Sequence, residues 1–485
     1  MGTTTGNGAR RDPWPVFWLL VVIQFMVILD TGIVAIALPS IREGLGFSLE
    51  GLAWVMDGYM LVLGGLVLLG GRAADLVGRR RMLLWGVALF TAASALCTVA
   101  VEPWMLVAGR VLQGVGAAMA SPAALATVTD LFEDGPDRSK AMGIFGGVGG
   151  VAGPVGVLLG GLLSGVDWRL VFLINLPICL VIVLLGLRLL PAARPVVGGG
   201  LDVFGAFTGT VGLSLVVYAA IRGGVSGWGD TAVVVALVAA AVLLVAFVVR
   251  QRTAAAPLLP RALFRAPTLV LGVVACGLVG FALYGVFVSN SVHLQDARGY
   301  GPVAAALVMI PLDLCLFLGT TLAGRLLGRV GGPVNLLVTG LVVQAAGLVW
   351  WAAALDVWGN LFLTFILPAG VASVGLGLAI VSVFVIATIG TTDEVAGATS
   401  GLLVMSNQVI GAIGIAVLTT VVTLRSRGLV EEGVDRAAAL GAAQSTALYT
   451  AVGAVVVGIA VGLLLKRLTR VPAAAAKAGE DPVSG

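Results

Sequence analysis

The chain is a near-continuous succession of apolar runs, separated by short stretches that hold most of its polar and charged residues. Each run is about 20 residues long, enough to cross a hydrocarbon core as a helix rising about 1.5 Å per residue. No water is present there to satisfy backbone amides, so a spanning segment of this length is helical. The runs fall near 14–38, 51–71, 82–101, 104–130, 140–164, 169–188, 203–221, 231–249, 268–291, 302–324, 334–354, 360–386, 398–423 and 446–465, fourteen in all. The first is not a cleaved leader. It is too long, lacks an Ala-x-Ala site and contains an acid. Composition excludes the alternatives: 59% of the 485 residues are hydrophobic and 11% are charged, against about 25% charged in a soluble domain. Neither a solvated globule nor a disordered chain has such a balance.

Alternate loops give the orientation. Of the 28 Lys and Arg residues, 20 fall on the side bearing the N-terminus, seven on the other, and Arg110 lies inside a run. Basic residues concentrate on the cytoplasmic side, so both termini are expected there. The formal net charge of +4 has no soluble face to carry it, which excludes a nucleic-acid binder. Cys97, Cys179, Cys276 and Cys315 sit singly in apolar runs without metal-ligand spacing, and read as packing residues rather than disulfides or a metal site. Residues 1–12 and 471–485 read as disordered tails. The segment 424–445 reads as a solvated connector, with a short surface helix as the alternative.

An internal repeat organises the runs. Gly71-Arg72-Ala73-Ala74-Asp75-Leu76-Val77-Gly78 aligns without gaps to Gly324-Arg325-Leu326-Leu327-Gly328-Arg329-Val330-Gly331. Each follows the second run of a six-run set, and repeated halves with a site between them are typical of secondary transporters. The expected division is a six-helix bundle over 13–188, a linker over 189–266 carrying two inserted helices, and a second six-helix bundle over 267–470. Gly328 stands where the first copy has Asp75, so the two turns differ electrostatically.

Ionisable groups inside the runs are the functional candidates, since each costs roughly 2.5–3.5 kcal/mol to insert even on lenient scales. Asp30 lies deep in the first run; Arg110 lies in the fourth, with Gln113 one turn on along the same face. Asp30 and Arg110 form either a buried structural pair or a proton-exchanging acid with a cation that tunes it. Asp313, just after Pro311 in the tenth run, is a second acid, open between substrate or proton contact and a helix-packing hydrogen bond. Asp57 reads as a solvated rim residue and His293 as a solvated helix end. Asn407 and Gln408 face either a cavity or a neighbouring helix. Gly149, Gly153, Gly156 and Gly160, with Pro154 beside the second, share one face of the fifth run. That face suits close helix approach, whether static or pivoting.

Taken together, these segments resemble the major facilitator superfamily, and within it the fourteen-helix drug:proton antiporters. Gly71-x-x-x-Asp75-x-x-Gly78-Arg79-Arg80-Arg81 is similar to the superfamily signature between helices 2 and 3. Arg110-x-x-Gln113-Gly114-x-Gly116 resembles the helix 4 motif, and Leu29-Asp30-Thr31 through Ala37-Leu38-Pro39 the helix 1 motif of the exporters. Gly149-x-x-x-Gly153-Pro154 resembles the helix 5 antiporter motif, departing from it by placing the Gly-Gly pair only at Gly160-Gly161. Asp167-Trp168-Arg169 to Asn175-Leu176-Pro177, and Ala396-Gly397 to Gly411, also resemble the group.

The resemblance implies an all-α major facilitator fold of two six-helix bundles plus two inserted helices, in a bacterial cytoplasmic membrane. It implies that Asp30 titrates and faces cations, and that Arg110 with Gln113 couples its protonation to rocking of the halves. Asp75 and Arg79 would form a cytoplasmic latch with Asp130, while topology control accounts for at least one of Arg79, Arg80 and Arg81. The implied activity is proton-driven export of cationic or amphipathic drugs, by a monomer using the proton gradient and no cofactor or metal. Within transport the alternative is a dedicated exporter of one endogenous metabolite or self-made antibiotic. A membrane enzyme is disfavoured, because convergent catalytic groups are missing from the sequence, and a channel because no filter-like loop is present.

Overall fold

A computed structural model describes residues 12–132, 136–190, 200–254, 257–258, 267–388 and 393–478. Among these residues the chain is helical and contains no strand. The helices of the first half are α1 (Trp14–Leu45), α2 (Leu49–Val77), α3 (Arg79–Thr98), α4 (Pro103–Leu131), α5 (Pro136–Gly147), α6 (Gly149–Ser164), α7 (Leu170–Leu173) and α8 (Asn175–Leu189). An inserted pair follows, α9 (Val203–Ser226) and α10 (Thr231–Thr253). The second half holds α11 (Pro267–Val292), α12 (Pro302–Leu326), α13 (Pro333–Ala354), α14 (Leu367–Thr388), α15 (Asp393–Glu431) and α16 (Arg436–Ala478). Single π-helical turns extend α11 over His293–Ala297 and precede α14 over Phe362–Ile366.

Among the described residues, thirteen helical segments are long and apolar enough to cross a membrane, and the shorter apolar stretch Val151–Ser164 belongs to the remaining expected crossing. That crossing is divided at Val148, between α5 and α6. Four glycines surround the break, at 146, 147, 149 and 150, and each costs helix stability of about 1 kcal/mol relative to alanine. Helix starts follow local chemistry. Ser48 accepts from the amide of Gly51 at α2 and Asp230 from that of Ala232 at α10, while proline occupies the first turn of α1, α4, α12 and α13.

Two large apolar clusters form the core, one built chiefly by α1–α8 with residues of α9, α11 and α15, and one chiefly by α11–α16. They meet where α2 packs along α15 and α6 against α12. Glycine makes these close approaches possible. A Cβ on Gly64 of α2 would lie 3.0 Å from Gln408 Cβ of α15, and one on Gly161 of α6 would lie 2.8 Å from the Pro302 carbonyl at the start of α12. Within the second half, Gly340 of α13 and Gly375 of α14 face each other, and a Cβ on either meets the other's backbone.

Two expectations about loops and tails need correction. The segment 424–445 is not a solvated connector: α15 and α16 run into it from both sides and leave only a turn over 432–435. Gly433 at φ 87° makes that turn, and Asp435 caps α16 through the amide of Ala437. Residues 471–478 continue α16 as helix, in keeping with an alanine-rich stretch of high helix propensity. Residues 1–11 and 479–485 lie outside the described residues. Repeated turns also differ: the first ends on Gly78 at φ 104°, whereas the second carries two left-handed glycines, Gly331 and Gly332, with Asn335 donating to the Val330 and Gly331 carbonyls.

The inserted pair is clasped at one end by Asp202. Its Oδ1 accepts from Arg250 Nε at 2.9 Å and from the Gly205 amide at 3.0 Å, and its Oδ2 accepts from Gln251 Nε2 at 3.0 Å. Burial works to raise the Asp202 carboxyl, but these donors outweigh it and hold the group below the usual aspartate range. A carboxyl depressed in the folded state adds stability above its unfolded pKa of about 3.9, and that stability fades as pH falls through the folded value. The thermal unfolding midpoint in detergent is therefore expected to drop below about pH 4, and Asp202→Asn to flatten that acid limb while lowering the neutral-pH plateau.

Candidate functional site

Groups from five helices converge on the Asp30–Arg110 pair. Asp30 on α1, Arg110 and Gln113 on α4, Asn175 at the start of α8 and Ser94 on α3 are all inaccessible to solvent. Arg110 Nη1 donates to Asp30 Oδ2 at 2.5 Å and to Gln113 Oε1 at 2.9 Å, and Arg110 Nε donates to the Val55 carbonyl of α2 at 2.8 Å. Gln113 Nε2 donates to Ser94 Oγ at 2.8 Å and approaches Asp30 Oδ1 at 3.4 Å. Asn175 Nδ2 donates to the same Oδ1 at 3.0 Å. The guanidinium carbon lies 4.3 Å from the centre of the Tyr59 ring on α2, a cation–π contact that further offsets lost hydration. Charges so deeply buried persist only when paired and hydrogen-bonded on most sides.

The sequence singled out Asp30, Arg110 and Gln113 from their polarity within apolar runs, and the structure brings all three together. It did not single out Asn175, Ser94 or Tyr59 as site residues. Ser and Tyr in a membrane helix are common, and Asn175 stands at a break between α7 and α8, where a capping role is the ordinary expectation. The glycine face of α6 lies against α1 beside the acid. A Cβ on Gly156 would sit 2.9 Å from the Leu29 carbonyl, and one on Gly32 of α1 would sit 3.4 Å from the Gly153 carbonyl. Gly149 and Gly160 border Ile28 and Ile33 of α1, whereas a Cβ on Gly153 would meet nothing within 4 Å. Pro154 lies inside α6 without ending it.

Asp313 on α12 is not part of this cluster. Among the described residues it makes no hydrogen bond, and its Oδ2 is buried without a partner, so no helix-packing bond is seen there. Asn407 Nδ2 instead donates to the Cys276 carbonyl of α11 at 3.3 Å, an interhelical bond. Two rim assignments are overturned. Asp57 is fully buried with both carboxylate oxygens unpartnered. At its level α2 is enclosed, with Gly58 against Val111 of α4 and Met60 against Gly411 of α15, so nearness to a helix end does not bring exposure. His293 is also buried, because the π turn carries the chain on to Ala297 and its ring stacks on Phe365 at 5.9 Å.

Ion pairs occupy both ends of the bundle. At the face bearing the chain termini, Arg79 at the start of α3 pairs with Asp130 of α4, donates to the Ala126 carbonyl at 2.7 Å and lies 3.5 Å from Asp75. Gly71 of the same motif lies on α2 near Pro122 of α4, and Gly78 supplies the turn. Arg80 donates to the Leu187 carbonyl of α8 at 2.6 Å. At the opposite face Arg42 of α1 grips Asp296 with two bonds, of 2.5 and 2.9 Å, while Gln295 Nε2 donates to the Ile36 carbonyl at 2.9 Å. This second pair joins the two halves. Arg42 had counted only as a loop charge, since nothing local to it in sequence points to Asp296. Beside it, a cavity of about 40 Å³ lies between the halves, lined by Leu38, Ala53, Ser289, His293, Thr423 and Gln444 among others.

Residues 20–415 match the Major Facilitator Superfamily. A puromycin resistance protein of Streptomyces alboniger is 38% identical over 414 residues, covering 84% of this chain and 82% of that protein. A cephamycin export protein of Amycolatopsis lactamdurans is 36% identical over 404 residues, covering 82% of each. Among solved structures, the in meso crystal structure of the POT family transporter PepTSo matches with a TM-score of 0.68 at 16% identity, over 95% of this chain and 99% of that one. The last is a likeness of fold. With the match running over most of a chain whose described residues hold thirteen apolar helices of membrane-crossing length, the chain belongs to the major facilitator superfamily of membrane transporters.

Proposed function

We propose that the chain is a proton-coupled antiporter that exports cationic or amphipathic small molecules across the cytoplasmic membrane by alternating access. The observation that supports this reading best is the sealed Asp30–Arg110 pair, fully buried at 0% exposure on both sides. A carboxylate held this way exchanges a proton only when the surrounding helices part. Protonation removes the counterion of Arg110 while leaving its bonds to Val55 and Gln113, so charge state and the relative position of α1 and α4 are linked. Protonated, Asp30 no longer attracts a cation; ionised, it does. The Arg79–Asp130 and Arg42–Asp296 pairs then serve as latches at the two faces, broken and remade in turn. One charge moved through 100 mV supplies about 2.3 kcal/mol, before any pH gradient.

A second reading, a dedicated exporter of one compound, has the names of the two relatives in its favour, one for puromycin resistance and the other for cephamycin export. The two readings share the mechanism and differ in breadth. In a pump-deficient host, protection across unrelated cationic drugs that vanishes when the proton gradient is collapsed supports the first. Protection confined to a single compound supports the second.

Asp30→Asn keeps the shape of the site and is expected to express normally. In inverted vesicles its proton-dependent efflux should fall to that of empty vesicles, and full antiport by this variant overturns the mechanism. Asn175→Leu leaves the ionised Asp30 short of one donor, at a cost of about 1–3 kcal/mol. A lowered unfolding midpoint in detergent is the expected result, and an unchanged midpoint removes Asn175 from the site.

A further inference from the structure

α8 packs mainly on α3. It touches α1 where Asn175 meets Asp30 and where Cys179 Sγ lies 2.9 Å from Met26 Sδ. From there toward the termini face the outer sides of the two helices leave a groove of about 520 Å³. Trp18 and Val22 of α1 and Ile178, Val181, Leu185 and Leu189 of α8 form its walls. The lining is apolar, and Trp18, Val181 and Leu185 are about half exposed. Along α8 it runs from Pro177 to Leu189, about 18 Å at 1.5 Å per residue, close to the hydrocarbon depth of one leaflet at about 15 Å.

The open end of this groove is charged, and mostly of one sign. Arg188 falls on the groove face of α8 at helical spacing from Val181 and Leu185, is exposed, and makes no ion pair among the described residues. Arg80 lies against the last turn of α8 through the Leu187 carbonyl. Lys140 lies over the Trp14 ring, 5.1 Å from its centre, beside the groove residue Pro15. Acids at this end include Asp12, whose Oδ1 accepts from the Trp14 amide, and Asp137, one turn before Lys140 in α5. An apolar slot one leaflet deep, with tryptophan at interfacial depth and an excess of basic residues at its mouth, has the chemistry of an anionic amphiphile.

We propose that the groove seats an acyl chain of an anionic phospholipid from the leaflet on the termini face, with its phosphate held by Arg188. The lipid fills the gap that separates α1 from α8 directly below the Asn175–Asp30 bond, and so supports the spacing on which that bond depends. A wall-to-wall contact of α1 and α8 would otherwise have to close the gap by tilting α8 off α3.

Native mass spectrometry of the full chain, purified in mild detergent and titrated with phosphatidylglycerol or phosphatidylcholine, tests this. The wild type is expected to retain phosphatidylglycerol. Val181→Trp plugs the groove and should cut retention about tenfold or more, since two excluded methylenes already amount to that factor. Arg188→Gln should erase the preference for phosphatidylglycerol over phosphatidylcholine while still retaining lipid. Val238→Trp, a matching change on the exposed face of α10, should leave retention as in wild type. Equal retention by Val181→Trp and wild type overturns the proposal, as does equal loss in Val238→Trp, or displacement of the lipid by a cationic amphipathic drug but not by phosphatidylglycerol. Retention is read without transport, so an inactive pump does not affect the outcome.

Discussion

The arrangement of the first half depends on keeping one carboxylate and one guanidinium out of water. Burying either alone is prohibitive, and removing one partner of a buried pair costs about 3–5 kcal/mol. The chain meets that constraint with donors and acceptors from separate helices: α1 brings the acid, α4 the cation and an amide, α8 a second amide, α3 a hydroxyl and α2 a backbone carbonyl and an aromatic face. None of these helices can shift far without disturbing a hydrogen bond at Asp30, Arg110 or Gln113. Lipid alone supplies no such specification, because it is as apolar as the side chains it surrounds and favours no single packing.

Everything around that cluster is arranged by close backbone approach. α6 comes near α1 through Gly32 and Gly156 immediately beside the acid, and α2 comes near α15 through Gly64. Contacts of this kind lack bulky interlocking side chains, so they hold helices together without fixing them against sliding. Between the halves the charged fastening is the Arg42–Asp296 pair at one face, whereas Arg79–Asp130 ties α3 to α4 within the first half. A smooth seam fastened by a breakable pair suits two halves that occupy more than one discrete arrangement.

The number and order of the crossings could be read directly, because run length is a property of sequence alone. Asp30, Arg110 and Gln113 could also be read, since a charge within an apolar run is conspicuous wherever it points. What could not be read depended on which face a residue presents and on what covers it. Asp57 and His293 sit near helix ends, yet neighbouring helices and a π turn enclose them. Asn175 is an ordinary polar residue at a helix start until α1 places Asp30 opposite it. The Arg42–Asp296 pair joins residues far apart along the chain, and neither carries a local mark of the other. The end of α15 and start of α16 looked like a solvated loop because charges cluster there, although Gly433 and Asp435 mark a tight helix–turn–helix.

The inserted pair breaks the symmetry of the two halves in a way that bears on the surrounding bilayer. α9 packs against α2 from the first half and α15 from the second, so it lies across the seam where those halves meet. α10 in turn packs on α9 and presents most of its surface outward. The other seam, between α6 and α12, carries no such covering helix among the described residues. A molecule dissolved in the membrane therefore meets a shuttered flank on one side of the protein and an unshuttered one on the other. Two doors that the internal repeat would have made alike become one wall and one door.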